Sequence, residues 1–469
     1  TIKPRKVCLY KKKVVILQKR QQVMDFKAFH IKDTRNRMLR NNILFSGILK
    51  IISLSTSLLI VPITINYLNN EIYGIWMTIT SVLFWINTFD IGLGNGMRNY
   101  LTGAISRKDF NLGRRYISTT LALLTAIALT MAIIISVPMS ILDFNQFLNT
   151  KALSNEGLRN ALIVAIGFTL LNFVIKNIGL IFVAMQKYAI NDLLSVSGNV
   201  IALGIIYLLT KLTTGNLLYV VFAYTATHCI IYALAAIPLF IKYPELQPSF
   251  NSFDKELTQK IVGKGFSFFI IQISSCLVIF GAANMFITQY CGPSAVTTYN
   301  IAYKFFNLLV IAYTIILAPM WNAYTDAYVK GDMKWIENNF NRALKLWGIS
   351  VVGGVIMLLG CPIFYHIWVG DKVTVPFSVS LSTLIYVCFF NLNNCVTYLV
   401  NGLNKIRVQI ITSLVFTAIY ILVVLSTGTK LGIEGVVLCM AGSYASMSII
   451  HLYQCRLLIK NKAKGIWNK

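Results

Sequence analysis

The sequence predicts an all-α polytopic membrane protein with about 12 transmembrane helices, arranged as two six-helix bundles. Three observations predict this fold: an apolar composition, repeated apolar runs of spanning length, and an uneven placement of basic residues. Of the 469 residues, 56% are hydrophobic and 12% are charged, and the mean hydropathy is +0.67. Because soluble proteins carry roughly a quarter charged residues, this chain is too apolar for a water-soluble fold.

The amino-terminal segment, residues 1–41, carries thirteen Lys or Arg and two Asp. It contains no apolar stretch of spanning length, so we expect a basic cytoplasmic tail. The first apolar run, residues 43–66, is too long for a signal-peptide core and has no small-residue cleavage site. We therefore expect this run to be the first retained transmembrane span.

Eleven further spans follow, since a hydrocarbon core of about 30 Å needs about 20 apolar residues per helix. They are predicted at residues 72–92, 116–138, 161–185, 193–211, 217–241, 265–290, 295–320, 342–367, 377–400, 408–427 and 433–455. The expected domains are an amino-terminal bundle (42–241), a cytoplasmic linker (242–264), a carboxyl-terminal bundle (265–456) and a basic cytoplasmic tail (457–469).

The basic residues indicate the orientation of these spans. With the amino-terminal tail inside, cytoplasmic segments and the adjoining span ends hold 34 of the 42 Lys and Arg residues, outer loops and the adjoining span ends hold five, and three lie deeper within spans. Cytoplasmic loops carry the excess of Lys and Arg, so both termini are predicted to be cytoplasmic. Topology and attraction to anionic lipid headgroups account for much of the net charge of +26, and we expect no nucleic-acid partner.

An internal repeat supports the two bundles. Shifting the chain by 223 residues places Tyr67 on Tyr290 and aligns predicted spans with predicted spans. The same shift matches four identical residues in the following cytoplasmic segments: Asn99, Thr102, Ala104 and Asp109 fall on Asn322, Thr325, Ala327 and Asp332. Because each half has six spans, the halves share one orientation and are related by a pseudo-two-fold axis along the membrane normal.

The stretch from Phe89 to Asp109, FDIGLGNGMRNYLTGAISRKD, follows the second span and leads into a basic cytoplasmic segment. With twelve spans, the repeat and the basic central linker, it resembles the polysaccharide flippases of the multidrug/oligosaccharidyl-lipid/polysaccharide exporter superfamily. These flippases translocate O-antigen or capsule repeat units. The architectural resemblance covers nearly the whole chain after residue 41.

The resemblance implies a V-shaped pair of bundles in a bacterial inner membrane. It implies a transporter that flips an undecaprenyl-diphosphate-linked oligosaccharide to the outer leaflet by alternating access. The partners it implies are this polyprenyl-diphosphate-linked lipid, the phospholipid bilayer, H⁺ or Na⁺ as a candidate coupling ion, and a polysaccharide polymerase. No cofactor is expected.

Five of the ionisable side chains in or beside predicted spans are candidate site residues. A charge at the centre of a membrane helix costs about 2.5 to 3.5 kcal/mol on insertion scales, so such groups usually face a cavity or a partner. We expect the cationic ones to line a central cavity that binds the diphosphate: Lys176, Lys304, Lys50 and Arg98. Alternatively, Lys50 reaches the membrane interface. Asp90 is either a coupling residue or the helix-end partner of Arg98.

Amide and aromatic side chains in the second half are candidate sugar contacts, because amides and rings bind sugars. They are Asn300, Asn307, Asn391 and Tyr303. The alternative for each is a hydrogen bond across helices, which contributes about 0.6 kcal/mol on average.

Two other functions remain open. A cation-coupled multidrug exporter of the same superfamily would favour carboxylates over lysines in its cavity. A multispan enzyme of polysaccharide assembly would favour a large outer loop or an intramembrane set of His and Arg residues. We find no catalytic constellation, phosphate-binding loop or metal-ligand cluster in the sequence, so we predict no enzyme activity and no metal site.

Overall fold

The protein is described by a computed structural model that covers residues 45, 47–90, 92–259 and 281–468. Within these ranges the regular structure is helical and contains no strand, which confirms the all-α class. The helices are α1 (Gly47–Leu68), α2 (Asn70–Thr88), α3 (Leu93–Ser106), α4 (Phe110–Ile141), α5 (Phe144–Phe147), α6 (Asn155–Ile175), α7 (Asn177–Ala184), α8 (Tyr188–Leu212), α9 (Leu217–Lys242), α10 (Ala282–Cys291), α11 (Pro293–Val329), α12 (Met333–Val369), α13 (Phe377–Gly402), α14 (Arg407–Gly428) and α15 (Lys430–Ile459).

Ten stretches in the described ranges are long and apolar enough to cross a membrane, and the bent pair α2 and α3 is an eleventh candidate. They coincide with eleven of the twelve predicted spans, and the chain is a multi-pass membrane protein. The predicted seventh span, 265–290, lies largely outside the described residues, which contain only its final part in α10.

The surface of these helices suits a lipid environment. Large aliphatic side chains on α4 and α12 are exposed, among them Ile133, Ile141, Ile363 and Ile367. In water such contiguous apolar faces would be strongly unfavourable, whereas acyl chains solvate them without cost.

The second span differs from its prediction at its end. Residues 72–92 were expected to form one helix, but α2 ends at Thr88 and α3 begins at Leu93 with a bend of 43°. Gly92 sits between them in the left-handed region, at φ 72°. The Asp90 carboxylate accepts a hydrogen bond of 2.8 Å from the Gly92 N–H. The bend therefore follows from a residue that tolerates positive φ and a side chain that caps it.

The internal repeat is visible in the backbone. Asp109 caps α4 by accepting a bond from Leu112 N–H at 3.0 Å, and Asp332 caps α12 by accepting one from Trp335 N–H at 2.9 Å. These two aspartates are 223 residues apart, as the sequence alignment requires. The shared Asp thus begins an equivalent helix in each half.

The turns before these caps agree as well. Lys108 and its counterpart Gly331 both have positive φ, at 58° and 73°. At the other end of the repeat, Asn69 and Gly292 have φ 77° and 84°. Equivalent left-handed positions at the same offset indicate that both halves use the same connections between spans.

The two halves contact each other through α2, which packs against α10 and α11 in the described part of the chain. The Thr78 and Thr288 hydroxyls are hydrogen-bonded at 2.6 Å, and Thr297 Oγ1 donates to Asn70 O at 2.7 Å. Gly74 faces the backbone of Pro293 so closely that a Cβ there would overlap it. All of these contacts lie toward the predicted outer ends of the helices.

The chain beyond α9 returns across the start of α4. Ser249 N–H donates to Ser118 Oγ at 3.0 Å, and Asp254 N–H donates to Thr119 Oγ1 at 2.9 Å. Asp254 also forms a salt bridge with Arg115. Because residues 260–280 lie outside the described ranges, the predicted linker and bundle boundaries remain predictions.

Candidate functional site

A cavity of about 340 Å³ lies between the two halves, and we call it the central cavity. It is lined by residues of α1, α2, α8, α9 and α11: Ser53, Thr56, Ser57, Ile60, Thr64, Tyr73, Trp76, Met77, Thr80, Asn199, Tyr224 and Lys304. Hydroxyl, amide and aromatic groups dominate this lining. Such a surface is suited to a hydrated, polar ligand of moderate size.

Lys304 is the cationic member of this lining. It is half-buried on α11 and faces a wall contributed otherwise by the first half of the chain. Among the described residues it has no hydrogen-bond or salt-bridge partner, and no carboxylate lines the cavity. The central cavity therefore carries a positive charge, and the Lys304 ammonium group is available to a ligand.

The hydroxyls on α1 occupy one helix face. Ser53, Ser57 and Thr64 follow Lys50 by three, seven and fourteen residues, which places all four along one side of the helix. Lys50 is exposed and does not line the cavity. It lies on the same face, toward the predicted cytoplasmic end of α1.

Lys176 lies beside a second, smaller cavity of about 190 Å³ within the first half. This inner cavity is lined by Leu83, Asn87, Thr169, Asn172, Tyr224, Thr225 and His228. The Lys176 Nζ donates to both Asn87 O and Asn87 Oδ1 at 3.2 Å, and it lies 5.5 Å from the centre of the Phe173 ring. The Asp90 carboxylate also interacts with it electrostatically. Lys176 is thus bound in place, unlike Lys304.

Arg98 and Asp90 do not pair with each other. Arg98 donates from Nε and a terminal nitrogen to Asn99 Oδ1 at 3.3 and 3.2 Å, and Asp90 accepts from Gly92. The expected helix-end pair is replaced because the bend between α2 and α3 turns Asp90 back onto its own chain. Neither residue lines the central cavity.

The candidate sugar contacts lie elsewhere in the second half, outside the central cavity lining. Asn300 donates to Asn284 Oδ1 at 2.9 Å, and Asn284 donates to Ser81 Oγ at 2.8 Å, so this pair connects the two halves. The Tyr303 hydroxyl donates to Asn307 Oδ1 at 3.1 Å.

Asn391 is buried on α13, and its side-chain oxygen has no hydrogen-bond partner among the described residues. Sugar contacts by these four residues remain predictions.

Sequence reasoning missed most of the lining. The hydroxyls of α1 were overlooked because Ser and Thr are common in membrane helices, although their spacing on one face was a usable signal. Three other helices contribute Tyr73, Trp76, Asn199 and Tyr224, and only the tertiary fold brings these residues together.

In the described part of the chain, no group of three His, Cys, Asp or Glu side chains could hold a metal ion.

Comparison with known proteins shows which families and folds this chain resembles. A family model described as polysaccharide biosynthesis protein matches residues 39–321. A candidate O-antigen transporter of Salmonella typhimurium is 23% identical over 331 residues, which cover 69% of this chain and 72% of that protein. A candidate O-antigen transporter of Salmonella typhi is 24% identical over 324 residues, which cover 67% and 69%.

A solved structure has a similar fold. It is an inward-facing conformation of a multidrug resistance MATE family transporter of the MOP superfamily, with a TM-score of 0.74 and 16% identity. The match covers 88% of this chain and 98% of that one, which confirms the predicted fold of about twelve helices in two bundles. Because the family model matches more than half of its length, the chain belongs to the polysaccharide biosynthesis protein family.

Proposed function

We propose that this protein is a flippase for a polyprenyl-diphosphate-linked oligosaccharide used to build a surface polysaccharide. The observation that carries the proposal is the unpaired Lys304 ammonium in a cavity rich in hydroxyls. The family match and the names of the two relatives point in the same direction.

The chemistry of the central cavity fits such a headgroup. A diphosphate carries negative charge, and an ammonium at low dielectric stabilises it without demanding one fixed geometry. Sugar hydroxyls exchange hydrogen bonds with Ser, Thr and Asn side chains, and sugar faces stack on rings such as Tyr73 and Trp76. The polyprenyl tail needs no protein cavity, because it remains in the lipid.

The rival function is multidrug export, since the solved neighbour is described as a multidrug resistance MATE family transporter. A cationic drug would need an anionic partner, and no carboxylate lines the central cavity in the described part of the chain. The lining therefore favours an anionic cargo.

The contacts between the halves support transport by alternating access. Thr78 with Thr288, and Gly74 with Pro293, close the predicted outer side in this state. The transition to the outward-open state would separate these pairs and open the central cavity to the outside. The protein would work as a transporter without enzyme activity in the bacterial inner membrane, with both termini in the cytoplasm. H⁺ or Na⁺ would drive it, and a polysaccharide polymerase would take its product.

Substitution of Lys304 tests the proposal. Loss of one charge-assisted hydrogen bond costs about 1.5 to 3 kcal/mol, which corresponds to roughly 10- to 150-fold weaker binding. In a host strain lacking its own copy, Lys304→Ala should reduce surface polysaccharide strongly, Lys304→Arg should restore part of it, and combining Lys304→Ala with Lys176→Ala should abolish it.

The matched control is Lys345→Ala, which removes an exposed lysine outside the cavity and should leave surface polysaccharide unchanged. Immunoblots of membranes must show equal protein for every variant. Normal polysaccharide display by the double variant would refute the proposed role of Lys304.

A further inference from the structure

His228 on α9 lies between the central cavity and the inner cavity. Its side chain lines the inner cavity, and both of its hydrogen-bond partners, Asn199 and Tyr224, line the central cavity. An ionisable side chain inside a membrane span is costly and usually has a role. The His228 imidazole has no role in the diphosphate binding proposed above.

The helix packed against His228 leaves room for its ring. Gly198 on α8 faces the imidazole, and a Cβ at that position would lie 2.7 Å from His228 Cδ2 and 2.8 Å from Nε2. Any larger residue would push the ring away from Asn199. On its other side the imidazole packs against the Tyr224 ring, with centroids 5.2 Å apart. The ring is therefore held in a fitted position.

Both ring nitrogens face oxygen atoms. Nδ1 is 2.8 Å from Tyr224 O, and Nε2 is 3.2 Å from Asn199 Oδ1. A carbonyl oxygen can only accept, so Nδ1 carries the hydrogen that bonds Tyr224 O. With Oδ1 of Asn199 facing the ring, Nε2 would have to carry a second hydrogen, as it does only in the imidazolium ion. A neutral ring needs the Asn199 amide turned over, so that its NH₂ group donates to Nε2.

The groups around His228 determine when it is charged. The titratable neighbours on the surrounding elements are Tyr224, Cys229 and Tyr232 on α9, Asp192 on α8, Tyr73 on α2, Lys176 between α6 and α7, and Lys304 across the central cavity. Asp192 interacts with Tyr232, one turn further along α9, and Asp90 interacts with Lys176. The cations bordering the two cavities oppose a further positive charge, whereas an anion in the central cavity would offset it.

We propose that His228 is the proton-binding residue of the transporter, and that a proton on His228 and an anionic headgroup in the central cavity favour each other's binding. The proton adds to the Nε2 lone pair, and Asn199 reorients its amide at the cavity wall. This inference rests on the proposed function, since it takes the diphosphate-linked lipid as the anion. By linkage, each ligand strengthens binding of the other by the same factor.

The first test measures binding to the full-length protein in lipid nanodiscs. The probe is a synthetic farnesyl-diphosphate-linked N-acetylglucosamine, compared at pH 8 and pH 6 by calorimetry. Linkage to one proton strengthens binding by up to tenfold for each unit by which the pH is lowered. This gain adds to any change in affinity caused by titration of the probe itself. The His228→Asn variant keeps a donor near Tyr224 O but cannot titrate, so this extra dependence should vanish. His366→Asn, which removes an exposed histidine paired with Asp371, should behave as wild type.

Equal pH dependence in wild type and His228→Asn would overturn the inference. If that variant does not fold, nuclear magnetic resonance of ¹⁵N-histidine-labelled wild type decides instead, with inorganic diphosphate as the anion. A His228 ring that titrates between pH 5 and 9, and whose titration responds to diphosphate, supports the inference. A ring fixed in one protonation state overturns it. Failure of the proposed function is a separate observation, namely no transbilayer movement of the probe by wild type at any pH.

Discussion

Gly74→Ala should shift the protein away from the state in which its predicted outer side is closed. The added Cβ would overlap the Pro293 carbonyl and lie 3.1 Å from Pro293 Cα, whereas ordinary contacts are 3.4 to 4 Å. These neighbours are backbone atoms, so no side-chain rotation can relieve the clash. Overpacking of this kind costs about 1 to 3 kcal/mol. Because the clash exists only while α2 contacts α11, the open state should gain about 5- to 150-fold in population.

Labelling of a cavity residue measures this shift. Ser57→Cys places a thiol on the exposed, cavity-lining face of α1, and a membrane-impermeant maleimide reaches it from outside only when the outer side opens. Mass spectrometry of the labelled site should show faster labelling when Gly74→Ala is present. Gly103→Ala is the matched control, because no atom lies within 4 Å of a Cβ there. Equal labelling rates in the Gly74 and Gly103 variants would refute the reasoning.

Three further predictions concern the contacts between halves, the repeat and the linker. Cysteines replacing Thr78 and Thr288, whose hydroxyls are 2.6 Å apart, should form a disulfide that blocks transport until reductant is added; reductant-independent transport would contradict this. Asp109→Ala and Asp332→Ala should each lower stability by about 1 kcal/mol in thermal unfolding, and unequal losses would argue against equivalent caps. Partial burial alone would raise the pKa of Asp254, but backbone N–H groups and the neighbouring Arg115 guanidinium lower it in the folded protein. The ionised carboxylate therefore stabilises the fold above about pH 3.9, and this contribution is lost as the pH falls through the lower pKa of the folded state. Asp254→Asn should remove this acid-dependent loss of stability.

The spans were predictable from sequence because each requires about 20 apolar residues in succession, whatever the tertiary contacts. The repeat was predictable because Asp109 and Asp332 carry a capping role that recurs at a constant offset. The exact end of the second span was not, since a glycine in a span pattern is also compatible with a continuous helix, and α2 ends at Thr88 rather than at residue 92.

The candidate site was predictable only in part. Lys304 was identified because a lysine within an apolar run stands out, and the structure places it in the central cavity. Asn300 looked the same in sequence as a cavity amide, but the fold brings it to Asn284 at the contact between halves. His228 could not be identified as a site residue from sequence, since its relation to Asn199 and Gly198 depends on the packing of α8 against α9. Whether such a residue lines a cavity or contacts another helix depends on contacts between segments that are distant in sequence.

Transbilayer movement of a defined lipid tests the central claim most directly. Purified protein in liposomes would be given a fluorescent farnesyl-diphosphate-linked N-acetylglucosamine, and an impermeant quencher would report the leaflet it occupies. We predict that wild type equalises the probe between leaflets rapidly, that Lys304→Ala slows this roughly 10- to 150-fold, and that Lys345→Ala does not. Movement at the wild-type rate by Lys304→Ala, or no movement by wild type, would contradict the account.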